Sequence, residues 1–363
     1  MERLKEIFKE LKDPRIERCK VHLLEDILLL TLIAVICGAE SYESIELFGK
    51  SKLDFLRTIM PLPNGIPSHD TLERLFKRLD SSVFETAFLR WTSTLSQNSE
   101  GRIISIDGKT LRGSQDTVNG KYAIHLVSAW SSANSMVLAQ IKTEGKCNEI
   151  KATQELLSLL DITNSVVTID AMGCQRATAQ HIVDGQADYI LAVKQNQSNL
   201  YQSIEDSFNR QVPTHVVKDI NKDHGRIETR ICSIITDLRW IDQRADWMKL
   251  NTIIKIESTR AVGEKTSTET RYYISSLNKD AAYFNQSIRQ HWHIENSLHW
   301  VMDVQFREDE ARKRKDNAAE NFAIIRRIAL NKLKNIELRR LGIHNKRLVA
   351  AWDNKFLLKI ILN

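Results

Sequence analysis

The chain has 363 residues, of which 42% are hydrophobic and 27% are charged, as is typical of a globular protein. Glycine and proline are scarce, at 13 and 5 residues, which excludes a collagen-like or low-complexity chain. The five cysteines form no Cys-x-x-Cys pair and are odd in number. This cysteine pattern argues against a disulfide framework or a structural zinc site and favours a reducing compartment.

The longest apolar run covers residues 27–37 and is interrupted only by Thr31. A bilayer span needs ~20 residues, so this run is too short to cross a membrane. It starts late and follows a segment rich in acidic residues, so it does not resemble a signal peptide. We therefore expect a buried core helix in a cytoplasmic protein with no membrane partner.

The positive charge of the chain is concentrated near its C-terminus. The formal net charge is +6, yet residues 307–363 alone contain 15 Lys/Arg and 7 Asp/Glu. A basic segment of this kind indicates a polyanionic partner, most simply nucleic acid, although a solvated basic helix surface is a comparably good explanation.

The first 98 residues are predicted to form an N-terminal helical domain. Residues 61–67, which hold three of the five prolines, separate its helices. Two helices around a turn could read DNA, but this turn is longer than a helix-turn-helix usually allows. A plain helical bundle is therefore at least as good an interpretation.

Residues 99–195 are predicted to form the first part of an α/β core. Three strands at 103–107, 123–130 and 136–141 precede a helix, a strand at 165–170, a second helix and a strand at 188–193. A three-stranded meander followed by alternating elements predicts a mixed sheet flanked by helices. Residues 196–282 are predicted to be an inserted β-rich segment. Residues 283–363 would complete the core and add basic C-terminal helices.

Three acidic residues are notable for their positions. Asp107 and Asp170 end the first and fourth predicted strands, and Glu295 lies on the helix after the insert. If those two strands are neighbours, both aspartates lie at one sheet edge, and a crossing helix could bring Glu295 to them. Converging carboxylates repel one another and need cations, for which Mg²⁺, or Mn²⁺ as a substitute, is suited. Each acid also has a plainer explanation, a turn residue for the aspartates and a surface position for Glu295.

Several short motifs, in this order and spacing, resemble a known family. They include Ile-Asp-Gly-Lys-Thr-Leu-Arg at 106–112, Thr-Ile-Asp-Ala-Met-Gly-Cys-Gln at 168–175 and His-Trp-His-Ile-Glu-Asn-Ser-Leu-His-Trp at 291–300. Further matching stretches lie at residues 65–71, 124–129, 192–197, 224–226 and 271–276. The sequence resembles the DDE transposases with an RNase H-like core, and within them the H-repeat-associated, ISAs-type insertion-sequence family.

The resemblance implies a function, a cofactor and partners. Asp107, Asp170 and Glu295 take the places of the three catalytic acids, which would bind two Mg²⁺ ions for phosphoryl transfer. The protein would cut the ends of its own element and join the 3′-hydroxyls to target DNA. Duplex DNA would be the partner, in a complex of two or more protomers, within a bacterial cytoplasm. No Gly-rich phosphate loop is present, so no nucleotide cofactor is expected.

The sequence departs from the wider family around the third acid. Relatives with a β-rich insert carry Tyr, Arg and Lys at fixed offsets from the catalytic Glu, where this chain has Ile288, His291 and Met302. Arg289 and His299 are candidate substitutes for these phosphate or DNA contacts. Backup candidates for the third acid are Asp303, Glu308 and Asp309.

The other candidate DNA contacts rest on position alone. Lys109 and Arg112 follow Asp107, and Lys194 and Gln197 follow the fifth strand, at the edge where ligands bind to open sheets. His224 and Arg226 lie within the insert.

Three other functions stay open from the sequence. One is a metal-dependent nuclease that cuts without joining, and another is a DNA-binding relic or regulator without activity. A glycosidase is the weakest, because no aromatic residues line a sugar cleft near the aspartates and the basic tail would be unexplained.

Overall fold

A nine-stranded mixed sheet with helices packed against it forms the centre of the computed structural model. The structure describes residues 2–95, 101–116, 120, 122–143, 148–223, 226–263, 265–336 and 341–363. The predicted fold class is confirmed: a mixed α/β fold with an N-terminal helical region and a β-rich segment within the chain. The predicted domain boundaries at residues 98, 195 and 282 stay predictions.

The N-terminal region is helical, as predicted. Its helices are α1 (Glu2–Glu10), α2 (Leu24–Ile36), α3 (Tyr42–Ser51), α4 (Leu53–Leu56), α5 (His69–Arg78) and α6 (Ser81–Leu95). Helix α2 is apolar on every side and almost wholly buried, as such helices are in large cores. Within the described residues, no helix combines the length and apolarity that a bilayer span requires.

The strands and the helices between them follow in chain order. They are β1 (Arg102–Leu111), β2 (Ile124–Ser131), β3 (Met136–Thr143), α7 (Glu149–Leu159), β4 (Ser165–Ile169), α8 (Arg176–Asp184), β5 (Asp188–Val193), α9 (Ser198–Arg210), β6 (His215–Asp223), β7 (Arg226–Ile235), β8 (Thr252–Val262) and β9 (Lys265–Ser275). The sheet order is β3-β2-β1-β4-β5-β9-β8-β7-β6. Strands β4 and β5 run parallel to β1, and the other neighbouring pairs are antiparallel.

Strand β1 is longer than predicted, and its two sides differ. Its pairing with β4 ends where Ile106 meets Ile169. Its pairing with β2 continues through Asp107 to Leu111. Asp107 therefore lies inside the strand, at the point where β1 passes the end of β4. The prediction of a strand that ends at Gly108 is wrong, because β2 provides hydrogen-bond partners beyond that point.

The β-rich segment extends the central sheet, since β9 pairs with β5. Its first element is helix α9, which strand-like patterns did not predict; Leu200 and Ile204 bury one face of this helix. Strands β6 to β9 follow as an antiparallel meander. The β-rich character predicted for this segment is confirmed by these four strands.

The C-terminal helices cover both the sheet and the N-terminal helices. They are α10 (Ala281–Ile294), α11 (Trp300–Gln305), α12 (Ala318–Lys334), α13 (Ile343–Trp352) and α14 (Asn354–Leu362), with a π-helical segment, Glu295–His299, between α10 and α11. Helix α12 is buried over nearly its whole length and shares one hydrophobic core with α2 and α6. The N-terminal and C-terminal regions are thus joined by a common core.

Buried ion pairs link this helical core to strand β1. Glu308 is fully buried and binds Arg327 through both carboxylate oxygens. Burial by itself would raise the pKa of Glu308, but the charges of Arg327 and Lys109 overcome it and lower the pKa to about 2. Lys109 of β1 lies 3.6 Å from the same carboxylate.

We expect Glu308→Gln to reduce the free energy of unfolding by about 3–5 kcal/mol, because it leaves Arg327 buried without its counter-charge. The control is Glu310→Gln, which breaks the exposed pair of Glu310 with Arg307 and should cost no more than about 1 kcal/mol. Denaturant unfolding at neutral pH measures both. Similar losses in the two variants would contradict this assignment.

Candidate active site

The two aspartates lie side by side at one edge of the sheet. Asp170 directly follows β4, whose last residue, Ile169, pairs with Ile106. The Oδ1 atom of Asp170 accepts hydrogen bonds from the backbone N–H groups of Met172 (3.1 Å) and Gly173 (3.3 Å), which form the turn after the strand. Asp107 Oδ1 accepts a bond of 2.8 Å from the N–H of Gly108. Each carboxylate is therefore oriented by its own backbone.

Glu295 reaches the same place from the C-terminal helices. It opens the π-helical segment, in which the Trp300 N–H bonds to the Glu295 carbonyl. Short π segments inside α-helices often occur at functional sites. Glu295, Asp107 and Asp170 line one cavity of about 170 Å³. The other residues that line this cavity include Thr168, Lys194, Arg271, Tyr273, His291 and Trp292.

Burial and neighbouring acids raise the pKa values of all three carboxylates. Burial, then the charges of Asp170 and Glu295, raises the pKa of Asp107 to about 7. Burial also raises the pKa of Asp170, against its two backbone hydrogen bonds. Burial raises the pKa of Glu295 as well; the nearby Arg271 opposes this and Asp170 adds to it. A cation among these groups would relieve this repulsion.

The chemistry of these donors fits a hard divalent cation, which prefers carboxylate oxygens. The three carboxylates lie further apart than the ligands of a single bound metal ion. Among the described residues, no group of three or more His, Cys, Asp and Glu side chains is gathered closely enough to hold one ion. Asp107, Asp170 and Glu295 thus share a cavity without meeting at a single point.

Two histidines lie beside the acids. The Nδ1 atom of His299 is 3.4 Å from Asp107 Oδ2, and only 13% of the His299 side chain is exposed. Burial, then the charge of Lys109, lowers its pKa to about 3, so the ring is neutral at pH 7. The Nδ1 atom of His291 lies 2.9 Å from Thr168 Oγ1, and burial lowers its pKa to about 4. The predicted DNA contact of His299 stays a prediction; here the ring touches a candidate catalytic acid.

Lys109 lies among acids and is buried. Its ammonium contacts Asp303 and lies 3.6 Å from both Glu308 and Asp309. These are the three backup candidates for the third acid, and none of them lines the cavity. Their charges are balanced by Lys109 and by the arginines of α12. Glu295, which lines the cavity, is therefore the better candidate for the third acid. A phosphate contact for Lys109 stays a prediction.

The remaining predicted DNA contacts are spread over several surfaces. Arg112 is 83% exposed and lies 3.6 Å from Asp309. Lys194 is exposed at the cavity, whereas Gln197 donates to the Cys174 carbonyl at 3.0 Å. Arg226 and Arg289 line a second groove, on the β-rich segment, next to the cavity. His224 lies outside the described residues.

The sequence interpretation missed Arg271. This strand β9 residue lines the cavity and influences Glu295 electrostatically. Its guanidinium binds Glu269 and lies 4.5 Å from the centre of the Trp292 ring. Arg271 stood in a matching motif, but no helical offset connects it to Glu295, because the two residues lie on different elements.

The sequence interpretation also missed a buried pair beside the aspartates. His125 Nε2 lies 3.0 Å from Glu149 Oε2, and His125 Nδ1 lies 2.9 Å from Thr110 Oγ1. The charge of Glu149 contributes to the raised pKa of both Asp107 and Asp170. The pair fits there because residue 108 is glycine: a Cβ at that position would lie 2.5 Å from His125 Nε2 and 2.6 Å from Glu149 Oε1.

Comparison with known proteins gives one consistent family. The profile of the transposase DDE domain matches residues 98–332, and the profile described as DDE_Tnp_1-associated matches residues 5–92. The segment at residues 98–332 contains all three candidate acids.

Individual relatives match nearly the whole chain. The Escherichia coli O157:H7 protein named "Putative transposase YncI" is 43% identical over 94% of this chain and 89% of its own length. The Escherichia coli K12 protein named "H repeat-associated putative transposase YhhI" is 40% identical over 94% and 92%. Among solved structures, the piggyBac transposase synaptic complex with hairpin DNA covers 99% of this chain and 74% of that chain, with a TM-score of 0.47 and 14% identity.

We expect Asp107→Asn to stabilise the metal-free protein near pH 8. Because the folded-state pKa is raised to about 7, ionising Asp107 disfavours the folded chain, and this cost grows as pH rises from about 4 to 7. The gain in Tm, measured in EDTA, should therefore shrink near pH 5. Asp184→Asn, at an exposed helix end, is the control. A gain that does not depend on pH would contradict this explanation.

We expect Gly108→Ala to destabilise the protein by about 1–3 kcal/mol, because the added methyl group must displace the His125–Glu149 pair. Gly342→Ala is the matched control, since a Cβ there meets nothing within 4 Å. Thermal unfolding of the two variants measures the difference. A neutral Gly108→Ala would mean that the pair shifts at no cost.

Proposed function

The chain belongs to the transposase DDE domain family, and on that premise we propose that it catalyses DNA transposition with Asp107, Asp170 and Glu295 as its catalytic acids. The observation that carries this proposal is the convergence of the three carboxylates, from β1, β4 and the end of α10, on one cavity. The protein would cut the ends of its element and join the freed 3′-hydroxyls to target DNA. Its site of action would be the bacterial cytoplasm.

Asp107, Asp170 and Glu295 would hold the metal ions. We propose two Mg²⁺ ions per site, for which Mn²⁺ can substitute. When bound, such ions supply charge neutralisation at the phosphate and lower the pKa of an attacking water or hydroxyl. The raised pKa values of the acids support this role, because a cation removes the repulsion that the protein maintains among them.

The surrounding side chains would position the DNA and its reacting phosphate. Lys194 is exposed at the cavity and would pair with a phosphate oxygen. Arg271 would place a second cation near Glu295. His299, neutral and against Asp107, would fix the orientation of that carboxylate. Phosphoryl transfer depends chiefly on such positioning and charge stabilisation.

Duplex DNA is the proposed partner, both as element ends and as target. Joining two ends requires two active sites, so we propose that the active complex contains at least two protomers. The exposed basic residues of 307–363 and the N-terminal helices would contribute affinity through phosphate contacts, which weaken with salt. Five basic residues in the described part of that segment are buried and are excluded from this role: Arg326, Arg327, Lys332, Lys346 and Arg347.

We expect Asp107→Asn, Asp170→Asn and Glu295→Gln each to lower end cleavage and strand transfer by about a hundredfold or more. The substrate is a labelled duplex that carries the DNA flanking the gene, with Mg²⁺, Mn²⁺ or EDTA. Asp184→Asn is the control and should keep wild-type activity. Products separated on denaturing gels distinguish cleaved from joined strands.

Other outcomes of this assay identify the other functions. Metal-dependent cleavage without joined product would favour a nuclease. DNA binding without chemistry under any metal would indicate a relic or regulator, and the assignment of the three acids would be withdrawn.

A further inference from the structure

One face of the β-rich segment carries an alternating row of charged and polar side chains. Arg226, Glu228 and Arg230 alternate along β7, so they project from the same face. The register continues this face: Arg230 lies opposite Ser258 and Glu228 opposite Arg260. On β9, Ser267, Glu269 and Arg271 continue the rows.

Helix α10 forms the other wall of a groove over this face. Phe284 and Ile288 of α10 pack on Cys232 and Ile234, which lie further along the same face of β7. Beyond that apolar contact the helix and strands enclose about 490 Å³. The groove is lined by five arginines and only two glutamates: Arg226, Arg230, Arg260, Arg271, Arg289, Glu228 and Glu269.

Arg230 is the buried arginine of this groove, and it forms no ion pair within the described part of the chain. Its exposed fraction is 7%, and its Nε atom is buried with no hydrogen-bond partner among the described residues. By contrast, Arg271 binds Glu269 and Arg289 binds Asp219 at 2.9 Å. A buried guanidinium nitrogen without a hydrogen-bond partner is costly, and an external anion in the groove would supply that partner.

The groove adjoins the cavity of the three acids. Arg271 and Trp292 line both. Because Arg271 lies 4.5 Å from the Trp292 ring centre, the guanidinium covers the indole, and Trp292 serves to hold Arg271. A chain of phosphates in the groove would therefore lead past Arg271 to the carboxylates.

We propose that this groove binds the backbone phosphates of the DNA strand that enters the candidate active site. Guanidinium groups match phosphate oxygens in a bidentate manner, and an acidic cavity needs adjacent cations to admit a polyanion. The proposal deepens the proposed function and rests on it.

The test is DNA binding measured by fluorescence anisotropy in EDTA, so that neither metal nor chemistry contributes. The probe is a labelled duplex carrying the DNA that flanks the gene. We expect Arg230→Gln and Arg260→Gln each to weaken binding about tenfold and to lower the slope of log K against log salt by about one. Arg260 is exposed, so its variant should fold even if Arg230→Gln does not.

Two matched variants sharpen this experiment. Arg239→Gln removes the same charge from the same segment outside the groove, at a side chain that is 71% exposed and paired with Asp237, and should leave affinity unchanged. Glu228→Gln removes an acid from the groove and should tighten binding.

The contrary outcomes are distinct. Equal losses of affinity in Arg260→Gln and Arg239→Gln would contradict DNA binding by the groove, because any positive charge on the protein would then contribute equally. Normal binding by both groove variants would overturn it while leaving the proposed transposase function intact. Competition by polyglutamate as strong as that by DNA would assign the groove to an acidic protein. Failure of wild type to bind DNA would overturn both proposals.

Discussion

Strand β1 is hydrogen-bonded on both sides as far as Ile106 and on one side only from Asp107 onward. The short strand β4 ends there, so a gap forms beside the part of β1 that still pairs with β2. The backbone of Asp107 is held by its pairing with β2, while no strand covers its other side. Asp170, in the turn that ends β4, lies beside the same gap. The cavity therefore follows from unequal strand lengths, and a longer β4 would close it.

Two different charge environments lie along one face of β1. Asp107 and Lys109 project from the same face. Asp107 is repelled by the acids near it, whereas the Lys109 ammonium is attracted to a second, different group of acids. The pairing of Lys109 with Asp303, and of Glu308 with Arg327, fixes the chain after the π-helical segment against the sheet. The position of Glu295 thus depends on buried ion pairs formed by residues that take no part in the cavity. Rigid support of this kind lets the protein hold like charges close together.

Much of this arrangement could be predicted, and the reason is local. Strand patterns located β4 and β5, and the positions of Asp107 and Asp170 were recognisable because the parallel pairing of β1 with β4 ends directly before both residues. The length of β1 was not predictable, since it depends on pairing with β2. Arg271 and the His125–Glu149 pair were missed because each contact joins elements distant in sequence. Helix α9 was missed because β-prone runs dominate its neighbourhood.

The same long-range pairing explains the missing cation at the helical offset before Glu295. His291 occupies that offset and turns inward to Thr168, where a charged arginine would be buried against the sheet. Arg271 approaches Glu295 from β9 instead, and β9 is in place only because the β-rich segment pairs with β5. The segment is therefore structurally required next to the acids: it supplies Arg271, the cation that acts on Glu295, and it lines one side of their cavity. An insert that extends the sheet can do this, whereas one tethered beside it could not hold a guanidinium in register with a helix of the core.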